Sequence, residues 1–366
     1  MCLDKSNFFL KKLTIIIPTY KRQKFALRAM KYWSGKAVRV IIVDGSKKPI
    51  NDKHLNQLKP NIRYVHNPVK LYKRLFATIN LINTQYVMLG CDDEFYIPSA
   101  LSKCINRLSQ DPKLVTCTGL AFKFEWNGKS VVAYDIYSKL INRNLNNPDP
   151  MIRLKTHFSD YVPLHMYGVT QSSLWKIAAK AIFSKEYSFF AAGEIQIEFL
   201  LLFAGKSLVI PEILWMRSGE ALPQRGDSPS MITSKTLLKW WFNKKYRAEK
   251  KDFLSRMELT CKKINKKKRD KFIVNTQSIL EDHIKSEKEN LFFSIYKKLP
   301  KIIRTKIKKL LKIFGYELKN KILLLEYVKL LKKRNIKVDL KEIKKIKKIV
   351  NSYYQKPSNL FLGEDL

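Results

Sequence analysis

Three consecutive acids, Asp92, Asp93 and Glu94, stand in the stretch "YVMLGCDDEFYIPSAL", immediately after an apolar run. Adjacent carboxylates repel one another, so the arrangement calls for a cation. Two or more carboxylates at such a turn can hold Mg²⁺ or Mn²⁺, with phosphate oxygens of a substrate completing the octahedron. An ion there would neutralise a diphosphate and help it leave. The plainer alternative is a solvated turn before a helix starting near Pro98, whose first turn tolerates acids. It explains one acid better than three. A fourth acid, Asp44 in "VDGS", also follows an apolar run. There it can hydrogen-bond a base or ribose while Gly45 permits a tight turn; taken alone, it reads equally as a turn aspartate. After the first apolar run comes "PTYKRQ". Both GxGxxG and GxxxxGK[ST] are absent, which counts against a dinucleotide fold and against a P-loop enzyme.

The elements around these acids form a pattern. "LTIII" (13–17), "VRVIIV" (38–43), "IRYVH" (62–66) and "YVMLG" (86–90) are short, β-branched and apolar on both faces, as strands of a covered parallel sheet are. Helix candidates at about 23–34, 51–58 and 70–83 separate them. Successive β-α units predict an α/β sheet with right-handed crossovers, and ligands of such sheets bind beyond the carboxyl ends of the strands. The acids sit at those ends. A further strand is expected at 114–122, a hairpin with a type I′ turn at Asn127-Gly128, a helix after Pro148, and a helix at 192–205 ended by Gly205. "SGEALPQRGDSPS" (218–230) is rich in turn formers and reads as a domain boundary.

The ordered set "LTIIIPTYKR…VIIVDGS…YVMLGCDDEFYIPSAL" resembles the nucleotide-sugar-binding half of GT-A glycosyltransferases. More closely, it is similar to bacterial family-2-like enzymes with strand-PTYNR, ADGS and ADDDF-type segments. The resemblance extends over about residues 12–217. It implies a Rossmann-like GT-A fold and a metal-dependent, inverting transfer from a nucleotide sugar to a glycan or lipid-linked acceptor. It further implies Pro18, Thr19 and Tyr20 lining the nucleotide pocket, Asp44 at the base, and Asp92 at ribose or metal. Asp93 and Glu94 would sit around the divalent ion, and Lys73 and Arg74 would stand near the diphosphate. Glu94 replaces the commoner third aspartate, leaving open which pair holds the ion. Such a reaction needs a carboxylate to take the acceptor hydroxyl's proton. "GEIQIEFLLLFAG" resembles the family's base-bearing segment and places Glu194 in that role, with Glu198 one turn on as the alternative. The usual Glu-Asp pair is here Gly193-Glu194. His165 and Tyr167 fall where related enzymes build the acceptor pocket, with His165 also open to a metal-ligand or a structural role, and Arg217 stands within reach of the diphosphate.

Composition bounds the rest. With 366 residues the chain can bury more than one core, so a GT-A domain over 1–220 and a helical region over 231–366 are expected. No apolar run approaches the roughly 20 residues needed to cross a bilayer, and the opening "MCLDKSNFFLKK" is a poor signal peptide. The five cysteines show no CxxC spacing, as expected of buried thiols in the cytoplasm. The formal charge is +40, and about +24 of it falls after Met231. Amphipathic basic stretches at 301–314 and 340–350, with Trp240 and Trp241, would suit an anionic inner-membrane face, or simply a helical bundle. A coding bias toward lysine would produce the same excess. Nucleic-acid binding is the rival drawn from charge. The lysine-over-arginine balance and the lack of any zinc-finger or RNP pattern weigh against it. A nucleotidyltransferase would need a glycine-rich first loop. A non-catalytic glycosyltransferase relative is kept open by Glu94 and Gly193.

Overall fold

The computed structural model describes residues 2–189, 191–220, 237–264, 272–289 and 321–355. The four predicted strands form a parallel set: β1 (Leu13–Thr19), β2 (Arg39–Asp44), β3 (Ile62–His66) and β4 (Tyr86–Leu89), in the spatial order β4-β1-β2-β3. Ile15, Ile16, Ile17, Val40, Ile41 and Ile42 are wholly buried, which is why these runs are apolar on both faces. Register sets the site: Thr19 pairs with Asp44 and Asp44 with His66, so the chemistry-bearing residues leave the sheet on one edge. The crossovers are α2 (Gln23–Trp33), α3 (Asp52–Leu55) and α4 (Leu71–Thr78), and a helix not foreseen, α1 (Cys2–Leu10), precedes β1.

After β4 the chain makes the acidic turn, a two-residue strand β5 (Phe95–Tyr96), and α5 (Pro98–Gln110), which opens on its proline. The long β6 (Leu114–Trp126) and β7 (Val131–Asp135) form the expected hairpin. Its connection differs from expectation. Trp126 pairs with Val131, leaving a four-residue loop in which Gly128 alone has positive φ and the Asn127 side chain accepts from the Lys129 and Ser130 amides. A type I′ turn needs two such residues. The sheet continues through β8 (Asn144–Leu145), β9 (Val169–Gln171) and β10 (Lys206–Ser218). Strand β10 runs parallel to β6 and antiparallel to β5, pairing Trp215 with Tyr96 and Met216 with Phe95. That pairing brings the end of β10 against the acidic turn.

Helices α6 (Pro150–Ser159), α7 (Ser172–Phe183) and α8 (Ala192–Ala204) complete the part assigned by resemblance. Beyond it, α9 (Leu237–Phe242), α10 (Arg247–Ile264) and α11 (Phe272–Glu289) pack on α6, α7 and α8. Trp240 and Trp241 are buried there, and Trp240 Nε1 donates to Glu249; neither indole is presented to a membrane surface. A two-residue strand β11 (Ile322–Leu323) pairs with β7, and α12 (Leu324–Lys333) and α13 (Leu340–Gln355) follow. The apolar row of α13, Ile343, Ile346 and Val350, is fully covered by the domain, and Glu342 accepts from Lys36 at 2.8 Å. The amphipathic stretch at 340–350 therefore spends its apolar side on intramolecular packing. The stretch at 301–314 lies outside the described residues, as does most of the expected boundary at 218–230.

Close approach of β6 and β10 depends on Gly119. A Cβ there would stand 2.5 Å from the Glu212 carbonyl oxygen, where β10 bulges between Val209 and Ile213. Gly119→Ala is expected to destabilise the fold by about 1–3 kcal/mol through overpacking, read as a lowered urea midpoint with an unchanged slope.

Candidate active site

The three acids part company at once. Asp92 is buried: its Oδ2 accepts from the Thr19 hydroxyl at 2.7 Å, and its Oδ1 lies 3.2 Å from Arg22 Nη2. Asp93 Oδ2 lies 2.5 Å from the same nitrogen. Two carboxylates thus converge on one cationic atom, supplied by the residue that follows "PTYK". Glu94 turns elsewhere. Its Oε2 accepts from Trp215 Nε1 at 2.6 Å and from the Tyr96 hydroxyl at 3.1 Å, and its Oε1 faces Arg217 Nε at 3.8 Å. Burial pushes Asp92 up to about 7 against the pull of Arg22. Burial and the Asp93 charge push Glu94 to about 7 against Arg217, Trp215 and Tyr96. A divalent ion fits the Asp92–Asp93 pair, because a positive centre already rests between their oxygens. Glu94 has Oε2 engaged by Trp215 and Tyr96, while Oε1 meets Arg217 only at 3.8 Å.

The turn is held from behind by Arg28, wholly buried on α2. Its Nη2 donates to the Asp93 carbonyl at 2.9 Å, and its two terminal nitrogens grip Glu220 at 3.2 and 2.6 Å. Its guanidinium lies 4.8 Å from the Phe25 ring centre, 5.1 Å from that of Phe95 and 4.7 Å from that of Tyr353 on α13.

At the β2 end, Asp44 is fully buried and already has three partners. Oδ1 accepts from the Ser46 amide, and Oδ2 from Gln23 Nε2 and the Tyr64 hydroxyl at 2.7 Å each. It ties the loops after β1 and β2 together, with its side chain turned to protein donors. Arg74 is likewise buried: it donates to the Val69 and Thr19 carbonyls and lies so close over Gly45 that a Cβ would meet its Nη1 at 1.9 Å. Lys73 is exposed. The cation nearest the acids is therefore Arg22. Pro18 and Tyr20 are half-buried on the same loop, and Lys21 takes positive φ with its amide donating to Ser46 Oγ.

On α8, Glu194 and Glu198 lie one turn apart in opposite environments. Glu198 is fully buried: Oε1 accepts from the His165 and Met166 amides at 2.7 and 2.8 Å, and Oε2 meets His165 Nδ1 at 2.5 Å and His157 Nε2 at 3.0 Å. Burial alone would raise its pKa, but the two histidines outweigh it and hold Glu198 below the ordinary carboxylate value. Burial lowers His157 to about 4. The trio has a metal-like composition, yet its donor set argues for a hydrogen-bond hub. Tetrahedral N and O ligands around an ion at about 2.0–2.2 Å stand roughly 3.3 Å apart, wider than the His165–Glu198 contact. Arg143 Nη2 also donates to His157 Nδ1 at 3.1 Å, so that nitrogen accepts, whereas ligation through Nε2 would need it protonated. Through its amide and Nδ1 contacts with Glu198, His165 pins the 161–168 loop.

Glu194 has one side-chain partner among the described residues, the Tyr161 hydroxyl, which donates to Oε1 at 2.6 Å. Burial pushes it up to about 7. It lines a cavity of about 110 Å³ with Tyr72, Met166, Tyr167, Tyr187 and Phe189. Tyr167 links the two halves: its ring packs on Trp215 at 4.8 Å, and its hydroxyl is held well above its usual value by burial and by the charges of Cys91, Glu194, Glu94 and Glu198. Arg217 lies over Trp215 and Tyr137 at 5.6 and 5.3 Å. Sequence reasoning missed Arg28, Glu220, Tyr161 and His157 entirely. Arg22 lay inside the quoted "PTYKR" and could have been noticed as the nearest cation.

Sheet order and acidic turn together are those of a GT-A-like α/β fold. Residues 14–169, somewhat under half of the chain, match the family model "Glycosyl transferase family 2". A comparison with curated proteins gives no match. Among solved structures, S. aureus TarS 1-349 in complex with UDP-GlcNAc aligns with a TM-score of 0.47 at 13% identity, covering 75% of this chain and 71% of that one. A second S. aureus TarS structure aligns at 0.43 and 14% identity, over 75% of this chain. This chain covers 43% of the length of that structure.

Arg28 provides the test of the turn's support. Arg28→Ala leaves Glu220 buried without its charge partner, and removal of one member of such a pair costs about 3–5 kcal/mol. Chemical denaturation is expected to show that loss, with a smaller one for Tyr353→Phe, which keeps the ring over the guanidinium.

Proposed function

We propose that the protein transfers a sugar, with inversion, from a nucleotide-sugar donor to a hydroxyl of a glycan or lipid-linked acceptor. Asp92 and Asp93 hold the divalent ion, and Glu194 is the general base. The observation that carries this reading is the contrast on α8. Two carboxylates four residues apart are driven in opposite directions, Glu198 down by its histidines and Glu194 up to about 7 by burial. Paired titratable groups pushed apart in this way mark acid and base roles, and a base with a pKa near the working pH is the efficient one.

The donor's nucleotide is proposed to enter across the loops after β1 and β2, over Pro18, Thr19 and Tyr20, with its diphosphate directed at Arg22 and Arg217. Asp44 supports these loops from beneath. Mg²⁺ or Mn²⁺ between Asp92 and Asp93 would neutralise the leaving diphosphate. Glu94, fixed by Trp215 and Tyr96, keeps Arg217 and Tyr167 in place. The acceptor lies in the cavity lined by Tyr72, Tyr167 and Phe189, with its hydroxyl at Glu194. The carboxylate takes the proton as the oxygen attacks the anomeric carbon from the face opposite the departing diphosphate. We place this activity in cell-surface glycan synthesis at the inner face of the cytoplasmic membrane. The net charge of +40 supports attraction to anionic surfaces, and no helix among the described residues is long and apolar enough to cross a membrane.

The reading is tested with purified protein, Mn²⁺ and a panel of nucleotide sugars assayed by mass spectrometry. Glu194→Gln is expected to lower turnover by about 10²–10⁴-fold while leaving nucleotide binding within a factor of about two. Asp93→Ala is expected to abolish the Mn²⁺-dependent part of nucleotide binding. Normal turnover in Glu194→Gln would remove the base assignment.

A further inference from the structure

Tyr161 sits on a mount that leaves it little freedom. Arg143 donates to the His157 carbonyl at 3.0 Å and the Asp160 carbonyl at 2.8 Å, fixing the end of α6 just before Tyr161. Four residues on, Glu198 takes the His165 and Met166 amides and the His165 ring, fixing the loop again. Between these anchors the Tyr161 ring is enclosed by aromatic neighbours, with centroids 5.7 Å from Phe158, 5.4 Å from His157 and 5.1 Å from His283. The His283 ring is itself tied to the Phe158 carbonyl at 3.0 Å. The hydroxyl emerges from this cage aimed at Glu194 Oε1, 2.6 Å away.

We propose that Tyr161 is a positioning residue for the transfer reaction, whose hydroxyl both aims the Glu194 carboxylate and holds it in the ionised form that accepts the acceptor's proton. The inference rests on Glu194 being the base. A phenol O–H donated to a carboxylate favours the charged form, and it acts here against the burial that disfavours it. Among the described residues no other side chain donates to Glu194. Glu198 on the same helix repels it. From the 161–168 loop, Tyr167 shares its cavity, as do Tyr72 from α4 and Lys185, Glu186 and Tyr187 from the segment after α7. Lys185 is paired with Asp252 at 3.2 Å and Glu186 with Lys70 at 3.8 Å. The Glu198 hub, with its histidines, serves as the mount of this device: its oxygens are filled from the protein.

The sign of the effect follows. Glu194 works deprotonated, so activity falls as pH drops through its pKa. Removing the hydroxyl raises that pKa and moves the acid limb of the kcat/KM profile to higher pH. In Tyr161→Phe the limb is expected about one pH unit higher, so that kcat/KM on the limb drops about tenfold. At pH 9 it returns to within about twofold of the parent, because both are then ionised. A residue important only for packing would depress the rate equally at every pH. Site-specific replacement of Tyr161 by a fluorotyrosine keeps the ring in its cage and makes the phenol a stronger donor. Its limb is expected to move the other way, to lower pH, with the melting temperature unchanged; this arm stands even where Tyr161→Phe folds poorly. An acid limb that stays in place in both variants overturns the proposal. If Glu194→Gln keeps full turnover, the base assignment itself is lost; if Glu194→Gln is inactive while both Tyr161 variants keep the parent limb, only the role of Tyr161 is.

Discussion

Compensation of buried negative charge is the constraint around which this molecule is arranged. Desolvating an ionised carboxylate is expensive unless cations or donors accompany it, and the acidic turn places three in sequence at the edge of the sheet. Each finds a different solution. Asp92 and Asp93 share Arg22 from the loop after β1, the Asp93 backbone is gripped by Arg28 from α2, and Glu94 is taken by Trp215 and Arg217 from β10. These partners lie far away in sequence, so the turn is formed only when the parallel sheet, the crossover helix and the long β10 are all in place. The C-terminal helix joins the same arrangement by laying Tyr353 over Arg28. A turn built this way has its charges fixed in place by the fold itself.

The same principle separates the visible from the invisible in the sequence. The strands were legible because a parallel sheet covered on both faces must be written as short β-branched runs, and Ile15 to Ile17 and Val40 to Ile42 are such runs. The acidic turn was legible because three carboxylates have no cheap structural explanation. What could not be read were the partners. Arg28 looks like any helix cation, and its burial follows from Glu220, which stands nearly two hundred residues later. Arg74, set near the diphosphate by resemblance, lies close over Gly45, a contact made possible by the glycine's missing side chain. Asp44 accepts from Gln23 at the start of α2 and from Tyr64 on β3, two partners that its own turn does not announce.

The basic C-terminal part shows a related limit. Its amphipathic pattern is real, but periodicity reports only that one side of a helix is apolar, not what covers it. For α13 the cover is α2 and the β6–β7 hairpin, with Lys36 and Glu342 paired at the margin. Trp240 and Trp241, which read as interfacial aromatics, complete a cluster with Tyr187, Phe189 and Phe253. This cluster packs beside the segment that lines the Glu194 cavity. Among the described residues, Trp240, Trp241 and Phe253 thus back the Tyr187–Phe189 side of that cavity.

Glu194 and Glu198 make the argument in its smallest form. They have the same side chain, the same helix and the same face, and sequence spacing could rank them only by resemblance. The distinction arises from a loop thirty residues upstream. It gives Glu198 two amides and an imidazole, with a second imidazole from α6, and gives Glu194 a single phenol. With four donors a carboxylate is strongly acidic and inert, whereas with one donor and the same burial it titrates near neutrality and keeps lone pairs free. Two identical residues are thus set apart by their hydrogen-bond donors, an arrangement that exists only once the 161–168 loop has closed onto α8.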